Sequence, residues 1–259
     1  KKLGVECLVC IGGDGTLFVS NKFHKQGVPI VAVPKTIDND LRGTDVTFGF
    51  DTAVSIATEA IDRVHTTAQS HHRVMIVEVM GRTAGWIALY SGVAGGGDII
   101  LMPEIPYDIE SVARKVKGRN RMGKRFSIVV VSEGAKPIGG EVVVRQILKN
   151  SPEQVRLGGV SFVLGKQIED ATGIETRQVV LGHLQRGGTP TPTDRVLATR
   201  LGTKAVELIE AGQFGYMAAV KGNDITAVPI EEAAKGPRNV PVEHPLITSA
   251  RSVGTCFGD

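Results

Sequence analysis

The stretch IGGDGT at residues 11–16 joins three glycines and one acidic residue directly after an apolar run. Glycines allow backbone N–H groups to approach an anion, and the carboxylate of Asp14 can hold a metal ion that shares the anion's charge. This is the chemistry of a phosphate-binding loop. A tight turn is the alternative, because Gly reaches positive φ at little cost and Asp favours turns. Taken alone, the stretch supports both interpretations equally.

The stretch PKTIDND at residues 34–40 carries two carboxylates, those of Asp38 and Asp40. Transfer of a phosphoryl group to a hydroxyl needs a carboxylate within hydrogen-bond reach, which accepts the hydroxyl proton as the new bond forms. An Asx-turn formed by Asn39 is the structural alternative. We favour the base.

Four arginines near the ends of apolar runs favour a phosphorylated ligand. Arginine contacts phosphate through two parallel hydrogen bonds and stays charged at every relevant pH. His183 lies between Gly182 and the turn QRGG, where a neutral imidazole can bind a hydroxyl or a phosphate. The arginines are Arg73, Arg82, Arg177 and Arg186.

Composition excludes some classes of partner. The 259 residues carry a formal net charge of +3, which is too small to indicate a nucleic-acid surface. No run reaches the roughly 18 apolar residues of a membrane span. We therefore expect neither a nucleic-acid nor a membrane partner, and a cytoplasmic location. Residues 114–125 place seven basic residues in twelve, which favours a solvated helix face, with an anion-binding effector surface as the alternative.

Apolar runs typical of strands alternate with helical patterns along the chain. Between Asp51 and Ala68 the apolar residues recur at a period of 3.6, which predicts a helix with Asp51 at its N-cap. Strands too apolar for a solvated face predict parallel sheets covered by helices, an α/β fold. The predicted strands are 6–11, 29–33, 73–79, 98–102, 126–132, 176–181 and 216–221.

The chemically unusual stretches lie where predicted strands end. In an open parallel sheet, ligands bind beyond the carboxyl ends of the strands. Five junctions rich in Gly, Asp, Arg and His are hard to explain as turns alone, so we expect a binding site there. They are IGGDGT (11–16), PKTIDND (34–40), EVMGRTAG (78–85), SEGAK (132–136) and LGHLQRGG (181–188).

In this order, the strings IGGDGT, TIDND, EVMGR and LGHLQRGG resemble the phosphofructokinase family, and the resemblance covers nearly the whole chain. It implies two similar three-layer α/β/α sandwich domains with mainly parallel sheets and an active site in the cleft between them. The implied reaction is the Mg²⁺-dependent transfer of a phosphoryl group from ATP to the 1-hydroxyl of fructose 6-phosphate, which gives fructose 1,6-bisphosphate in glycolysis. The implied assembly is a homotetramer or a homodimer with shared active sites.

The resemblance also implies roles for individual residues. Asp14 is similar to the Mg²⁺-associated aspartate, Asp38 to the catalytic base and Arg82 to the arginine that stabilises the transition state, and Thr36 flanks the transferred phosphoryl group. Arg73 and Arg177 would reach the sugar phosphate from a neighbouring subunit. The implied donor-binding residues are Gly13, Asp14, Gly15, Thr16 and Lys35. The implied substrate-binding residues are Asp40, Arg73, Met80, Gly81, Glu133, Arg177, His183 and Arg186.

The resemblance divides the chain into two domains. A phosphoryl-donor domain would consist of residues 1–49 and about 187–235, and a sugar-phosphate domain of about 50–186 and 236–259. Family members have another unit of strand, glycine loop and helix before the point where this chain begins. We therefore expect the chain to be part of a longer enzyme and to be inactive by itself.

The donor in this family is ATP or pyrophosphate. Pyrophosphate-dependent members typically have Asp at the position of Gly15, which crowds the space of an α-phosphate, so Gly15 resembles the ATP-dependent members. Lys35 resembles the pyrophosphate-dependent members, and Val19 stands where ATP enzymes often have Gly. We prefer ATP, because the missing Asp removes the direct steric block.

Two other hypotheses are more distant. The protein could be a relative of the NAD or lipid kinases, which share only GGDGT, or a non-catalytic subunit that binds a sugar phosphate. TIDND and EVMGR argue against the first, and the presence of Asp14, Asp38 and Arg82 argues against the second.

The effector site of regulated bacterial members is only partly matched. His65, Met122 and Phe126 stand where those members have cations, while Asp98 and Lys124 match. The loss of several charges predicts weak or absent activation by ADP.

Overall fold

The computed structural model describes residues 4–147 and 155–259, in which strands and helices alternate. The strands are β1 Leu8–Gly12, β2 Ile30–Thr36, β3 Phe48–Gly49, β4 Val74–Val79, β5 Ile99–Leu101, β6 Ser127–Ser132, β7 Val144–Ile147, β8 Val155–Leu157, β9 Thr176–Val180, β10 Tyr216–Lys221 and β11 Asp224–Pro229. The helices are α1 Asp14–Lys25, α2 Phe50–His71, α3 Trp86–Ala94, α4 Ile109–Arg121, α5 Val160–Thr172, α6 Pro192–Glu210, α7 Ile230–Ala233 and α8 Pro245–Ser252, and a 3₁₀ helix, Gly182–Arg186, follows β9. Within the described ranges, no helix has the length and the apolar character that a bilayer crossing requires.

These elements form two compact units. Unit 1 comprises residues 1–52 and 189–238, and unit 2 comprises residues 53–188 and 239–259. The first boundary falls in the first turn of α2, so that this helix begins in unit 1 and continues in unit 2.

Unit 1 is built on a sheet with the order β1-β2-β10-β11, and β3 pairs with β2. β1, β2, β3 and β10 are parallel, whereas β10 and β11 are antiparallel. Side chains alternate between the faces of a strand, so Ile30 of β2 packs on one face with Leu17 of α1, and Val31 packs on the other with Leu201 of α6. Helices therefore cover both faces of this sheet.

Unit 2 is built on a parallel sheet with the order β5-β6-β4-β9. On one face, Ile76 and Val129 belong to an apolar cluster with Val116 of α4 and Leu164 of α5. On the other face, α3 packs so closely that a Cβ added to Gly92 would lie 2.7 Å from Ile100. The predicted fold class, α/β with two three-layer sandwiches and mainly parallel sheets, is confirmed.

All seven predicted strands have counterparts, but the prediction missed four of the described strands and one boundary. It missed β3, β11 and the antiparallel hairpin of β7 and β8, in which Val144 pairs with Leu157. β2 also runs on to Thr36, so the first residues of the PKTIDND stretch belong to a strand. The prediction of Asp51 as an N-cap was wrong, because α2 begins at Phe50 and Asp51 lies in its first turn.

The basic run at 114–125 lies in α4 and the turn that follows it. Arg114, Lys117 and Arg121 are exposed, which confirms the interpretation of a solvated helix face. Arg119 is the buried member and forms an ion pair with Asp98 at 2.6 Å. Asp98 also accepts a hydrogen bond from the N–H of Ile128, and burial raises the pKa of its carboxyl.

Candidate active site

The three glycines of IGGDGT differ in the space that surrounds them. A Cβ added to Gly12 would lie 2.4 Å from the side chain of Thr16, and one added to Gly13 would lie 3.3 Å from Cβ of Thr36. A Cβ added to Gly15 would meet nothing within 4 Å. None of these three glycines has positive φ, so access to positive φ does not explain why glycine stands there. Packing accounts for Gly12 and Gly13, and Gly15 leaves open space at the start of α1.

The start of α1 is suited to an anion. Gly13 is the N-cap residue and has no side chain that could cap the first N–H groups of this helix. N–H groups at a helix start carry partial positive charge and bind phosphate readily. Asp14 is the first residue of the helix and is half-buried.

The TIDND loop is held by contacts that are distant in sequence. Asn39 has φ 53°, and its side-chain oxygen accepts the N–H of Thr47 at 3.0 Å rather than closing a local Asx-turn. Arg238 donates its N–H to the carbonyl of Asp40 at 2.6 Å and its guanidinium to the carbonyl of Asn39. This arrangement buries Asp38 and Asp40, and the N–H of Asp38 bonds Oγ1 of Thr36.

The two motifs of unit 1 lie at one edge of the sheet. β1 and β2 are parallel and Gly12 pairs with Pro34, so the glycine loop and the TIDND loop leave adjacent strand ends. The side chain of Thr36 and the carbonyl of Lys35 lie within 4 Å of a Cβ placed on Gly13. Unit 1 therefore brings together the predicted donor-binding residues, Thr36 and the TIDND carboxylates, with the Lys35 side chain exposed.

Unit 2 contains a cavity of about 970 Å³ at the carboxyl ends of β4, β6 and β9. Its volume lies within the usual range of small-molecule sites. The predicted substrate-binding residues Met80, Glu133, His183 and Arg186 line it, together with Arg82, which was predicted to be catalytic.

Arg82 is fixed at the cavity by its backbone. It has φ 52° and donates its N–H to Oε1 of Glu133 at 3.0 Å. A Cβ on Gly134 would lie 1.8 Å from the carbonyl oxygen of Arg82, and one on Gly81 would lie 2.4 Å from the carbonyl oxygen of Ala84. Burial raises the pKa of Glu133, although the N–H of Arg82 and the charge of Arg186 oppose this effect.

Gln185 positions the 3₁₀ helix that carries His183 and Arg186. Its buried side chain accepts the N–H of Met80 at 3.3 Å and donates to the carbonyl of Gly182 at 3.1 Å. The contact joins the EVMGR and LGHLQRGG stretches, and the sequence analysis did not identify Gln185 because the two partners lie 105 positions apart.

Glu78 anchors the start of α5 next to the cavity. Its buried carboxylate accepts hydrogen bonds from the N–H of Gly159 at 2.8 Å, the N–H of Ser161 at 2.9 Å and Oγ of Ser161 at 2.6 Å. The sequence analysis gave this residue no role of its own, and the structure shows that it ties β4 to α5.

Removing this carboxylate should destabilise the protein. Glu78→Ala is expected to lower the free energy of unfolding by about 3 kcal/mol, because two N–H groups and a hydroxyl would be buried without their acceptor. Urea unfolding followed by circular dichroism measures the change. The control is Glu141→Ala, which removes an exposed carboxylate and is expected to change little. A loss below about 1 kcal/mol for Glu78→Ala would show that water replaces the carboxylate.

Arg73 and Arg177 are not brought to the cavity within one chain. Arg73 precedes β4 and Arg177 is the second residue of β9, so both lie near the amino ends of strands whose carboxyl ends face the cavity. Both form ion pairs with Glu175, Arg73 at 2.6 Å.

The other lining residues include three polar ones to which the sequence assigned no role: Lys136, Arg145 and Asn239. Asn239 donates its side-chain amide to the carbonyl of Thr83 at 2.9 Å. Arg145 lies on the unpredicted hairpin, and a lysine in a loop carries no sequence signal that separates it from a surface lysine.

Comparison with known proteins finds similar sequences and similar structures. The family model described as Phosphofructokinase matches residues 1–209. "ATP-dependent 6-phosphofructokinase 2" of Clostridium perfringens is 55% identical over 100% of this chain and 71% of its own length. "Pyrophosphate--fructose 6-phosphate 1-phosphotransferase" of Amycolatopsis mediterranei is 55% identical over 93% of this chain and 70% of its length. The crystal structure of pyrophosphate-dependent phosphofructokinase from Marinobacter aquaeolei has a TM-score of 0.78 at 27% identity, over 99% of this chain and 65% of that one.

The chain therefore belongs to the phosphofructokinase family. The resemblance predicted from the order of four short motifs is confirmed. The chain spans about seven tenths of the length of the curated relatives and 65% of the Marinobacter chain.

Proposed function

We propose that the protein is a 6-phosphofructokinase, which transfers the γ-phosphoryl group of ATP to the 1-hydroxyl of fructose 6-phosphate and releases fructose 1,6-bisphosphate and ADP. The observation that carries this proposal is the cavity of unit 2, where Arg82, His183 and Arg186 line one space with Glu133. Cations suit the phosphate of a sugar phosphate, and a carboxylate suits its hydroxyl groups. Relatives that are 52–55% identical over the whole chain bear the name ATP-dependent 6-phosphofructokinase.

The residues of unit 1 would supply the donor site and the base. The glycine at the N-cap of α1 and the open space beside Gly15 support binding of the donor phosphates by residues 13–16. Asp38 would accept the proton of the 1-hydroxyl as the phosphorus–oxygen bond forms, with Thr36 and Asp40 beside it. Asp40, Met80 and Gly81 would contact the sugar.

Mg²⁺ is the metal that this reaction implies. The described residues contain no group of three His, Cys, Asp or Glu side chains arranged to hold a metal. One carboxylate at an anion-binding helix start nevertheless fits Mg²⁺, which commonly binds through one or two carboxylates, water and the phosphates of the substrate. Asp14 is that carboxylate in our proposal, and the bound ion would neutralise charge on the donor phosphates.

Pyrophosphate is the second candidate donor. The exposed side chain of Lys35, at the end of β2 next to the glycine loop, favours it. The Amycolatopsis relative is also named for pyrophosphate. We prefer ATP because Gly15 has open space on its Cβ side.

The donor choice is tested by a paired assay. The enzyme as its gene encodes it is supplied with fructose 6-phosphate and either MgATP or magnesium pyrophosphate, and formation of the bisphosphate is followed by a coupled assay. Turnover with MgATP well above that with pyrophosphate is expected. The opposite ratio would establish the second candidate, and turnover with neither donor would contradict the proposed function.

An acidic side chain at position 15 should impair use of ATP. Gly15→Asp is expected to lower kcat/KM for MgATP by about 10- to 100-fold, because a carboxylate would face the donor phosphates and repel them. Gly15→Ala is the matched control: it lies in a helix, has no positive φ, and its Cβ meets nothing within 4 Å. We expect Gly15→Ala to remain within about threefold of the unmodified enzyme. An equal loss in both variants would contradict the electrostatic explanation.

We also propose a homodimer or homotetramer in which Arg73 and Arg177 serve a neighbouring subunit. Their position near the amino ends of β4 and β9, away from the cavity of their own chain, supports this. Mass measurement in solution, with and without fructose 6-phosphate, tests the assembly. A cytoplasmic location is the corresponding proposal for a glycolytic enzyme.

A further inference from the structure

The cavity of unit 2 has more cationic side chains than its carboxylates can balance. Two acidic residues line it, Glu78 and Glu133. Glu78 already accepts three hydrogen bonds from the start of α5, and Glu133 accepts the N–H of Arg82. The basic and imidazole side chains on the same lining are Arg82, Lys136, Arg145, His183 and Arg186.

Lys136 and Arg145 are the members of this set with no role in the function proposed above. Lys136 closes the SEGAK stretch, where its carbonyl accepts the N–H of Tyr107. Arg145 lies on β7 and is exposed. Among residues 4–147 and 155–259, neither side chain forms an ion pair or a hydrogen bond.

The stem of Arg145 lies close to Glu78 without pairing with it. A Cβ on Gly158 would lie 4.0 Å from Cδ of Arg145 and 3.3 Å from Oε1 of Glu78. No guanidinium nitrogen of Arg145 forms an ion pair with that carboxylate in the described structure. The guanidinium of Arg145 therefore does not neutralise Glu78. It can pair with an anionic ligand instead.

Several cations on one cavity repel one another unless a ligand carries the opposite charge. Concave surfaces with one sign of charge concentrate ligands of the other sign. A phosphate ester accepts hydrogen bonds from several donors at once, and guanidinium and ammonium groups supply charge-assisted ones. The excess of cations thus matches a phosphorylated ligand better than a neutral sugar.

We propose that Lys136 and Arg145 bind the phosphate group of the sugar phosphate, together with His183 and Arg186, and thereby select phosphorylated over free sugars. The proposal rests on the proposed function, since it names further residues of the same acceptor site. The β7–β8 hairpin would then be a specificity element of the cavity.

The test measures binding of fructose 6-phosphate without a donor, by titration calorimetry on the enzyme as its gene encodes it. Lys136→Gln and Arg145→Gln are each expected to raise Kd by about 10- to 100-fold, the effect of losing one charge-assisted hydrogen bond. The dependence of Kd on salt should weaken in both variants. Arg114→Gln removes an exposed cation of α4 and is the matched control, expected to change Kd less than about twofold.

Kinetics separate this role from a general structural one. At saturating fructose 6-phosphate, kcat of both variants should stay within about threefold of the unmodified enzyme, and Kd for MgATP should not change. If Lys136→Gln and Arg145→Gln bind fructose 6-phosphate as tightly as Arg114→Gln does, the inference is overturned. A weakened affinity for MgATP instead would also overturn it, and neither result would contradict the proposed function. An unmodified enzyme that neither binds nor phosphorylates fructose 6-phosphate would overturn the proposed function.

Discussion

Replacing Arg82 by alanine is expected to lower kcat by about 10³- to 10⁵-fold, with a much smaller change in KM for fructose 6-phosphate. In phosphoryl transfer, charge develops on the equatorial oxygens, and a positioned guanidinium stabilises it mainly in the transition state. The Arg82 side chain lines the cavity, so its removal deletes this contribution while most of the binding contacts of the sugar phosphate remain.

The fold should tolerate this substitution. Two contacts help to hold residue 82: its N–H donates to Glu133, and its carbonyl lies close to Gly134. Both contacts belong to the backbone and do not require the guanidinium. Alanine at φ 52° carries about the same backbone strain as arginine.

Arg82→Lys is the informative partner variant. It keeps the charge but loses the two-pronged hydrogen bond, so its kcat should lie between those of the unmodified enzyme and Arg82→Ala. Steady-state kinetics and thermal melting of both variants, with Arg114→Ala as the exposed control, provide the measurement. A kcat for Arg82→Ala within tenfold of the unmodified enzyme would remove Arg82 from the catalytic set.

Local pattern was sufficient for seven of the eleven described strands and for the family, but not for the contacts that position the site residues. The apolar run at 73–79 and the strand β4 agree because such a run has few alternatives to a buried strand. The predicted strand ended at residue 33, so Lys35 and Thr36 were placed in the junction that follows it. In the structure Pro34 lies near the end of β2, where it still pairs with Gly12, and the strand continues past it.

The glycine loop shows why the sequence motif alone did not decide between a phosphate-binding loop and a tight turn. Gly12 and Gly13 are required by Thr16 and Thr36, whereas Gly15 is required by no described neighbour. These reasons depend on where the chain places side chains from another strand, which a short pattern does not encode. The same holds for Arg238, which holds the TIDND loop from 199 positions away.

The cavity cations illustrate the same limit. Arg186 was identified because it belongs to a motif that carries the family resemblance, whereas Lys136 ends the SEGAK stretch without an assigned role and Arg145 belongs to no motif. Arg145 reaches the cavity from the β7–β8 pair, whose strands of four and three residues are too short for a periodic pattern to predict. Their role could be inferred only after the hairpin had been placed beside Glu78 and Gly158.

Asp38→Asn is expected to lower kcat by about 10²- to 10⁴-fold, because an amide cannot accept the proton of the sugar hydroxyl in the transition state. Asparagine has nearly the same shape, and three contacts of the loop do not involve the carboxylate. These are the bond from its own N–H to Thr36, the bond from Thr47 to Asn39 and the clamp of Arg238. The fold and KM for fructose 6-phosphate should therefore change little.

Two comparisons make the Asp38 result specific. Asp224→Asn removes an exposed carboxylate of unit 1 and should leave kcat unchanged, which controls for net charge. Asp40→Asn should act mainly on KM for the sugar, since we assign Asp40 to substrate binding. If Asp38→Asn loses sugar affinity at an almost normal kcat, while Asp40→Asn loses kcat, then the base is Asp40 and the two assignments must be exchanged. The ratio of the two kcat values decides between the carboxylates of TIDND, which the sequence alone could not do.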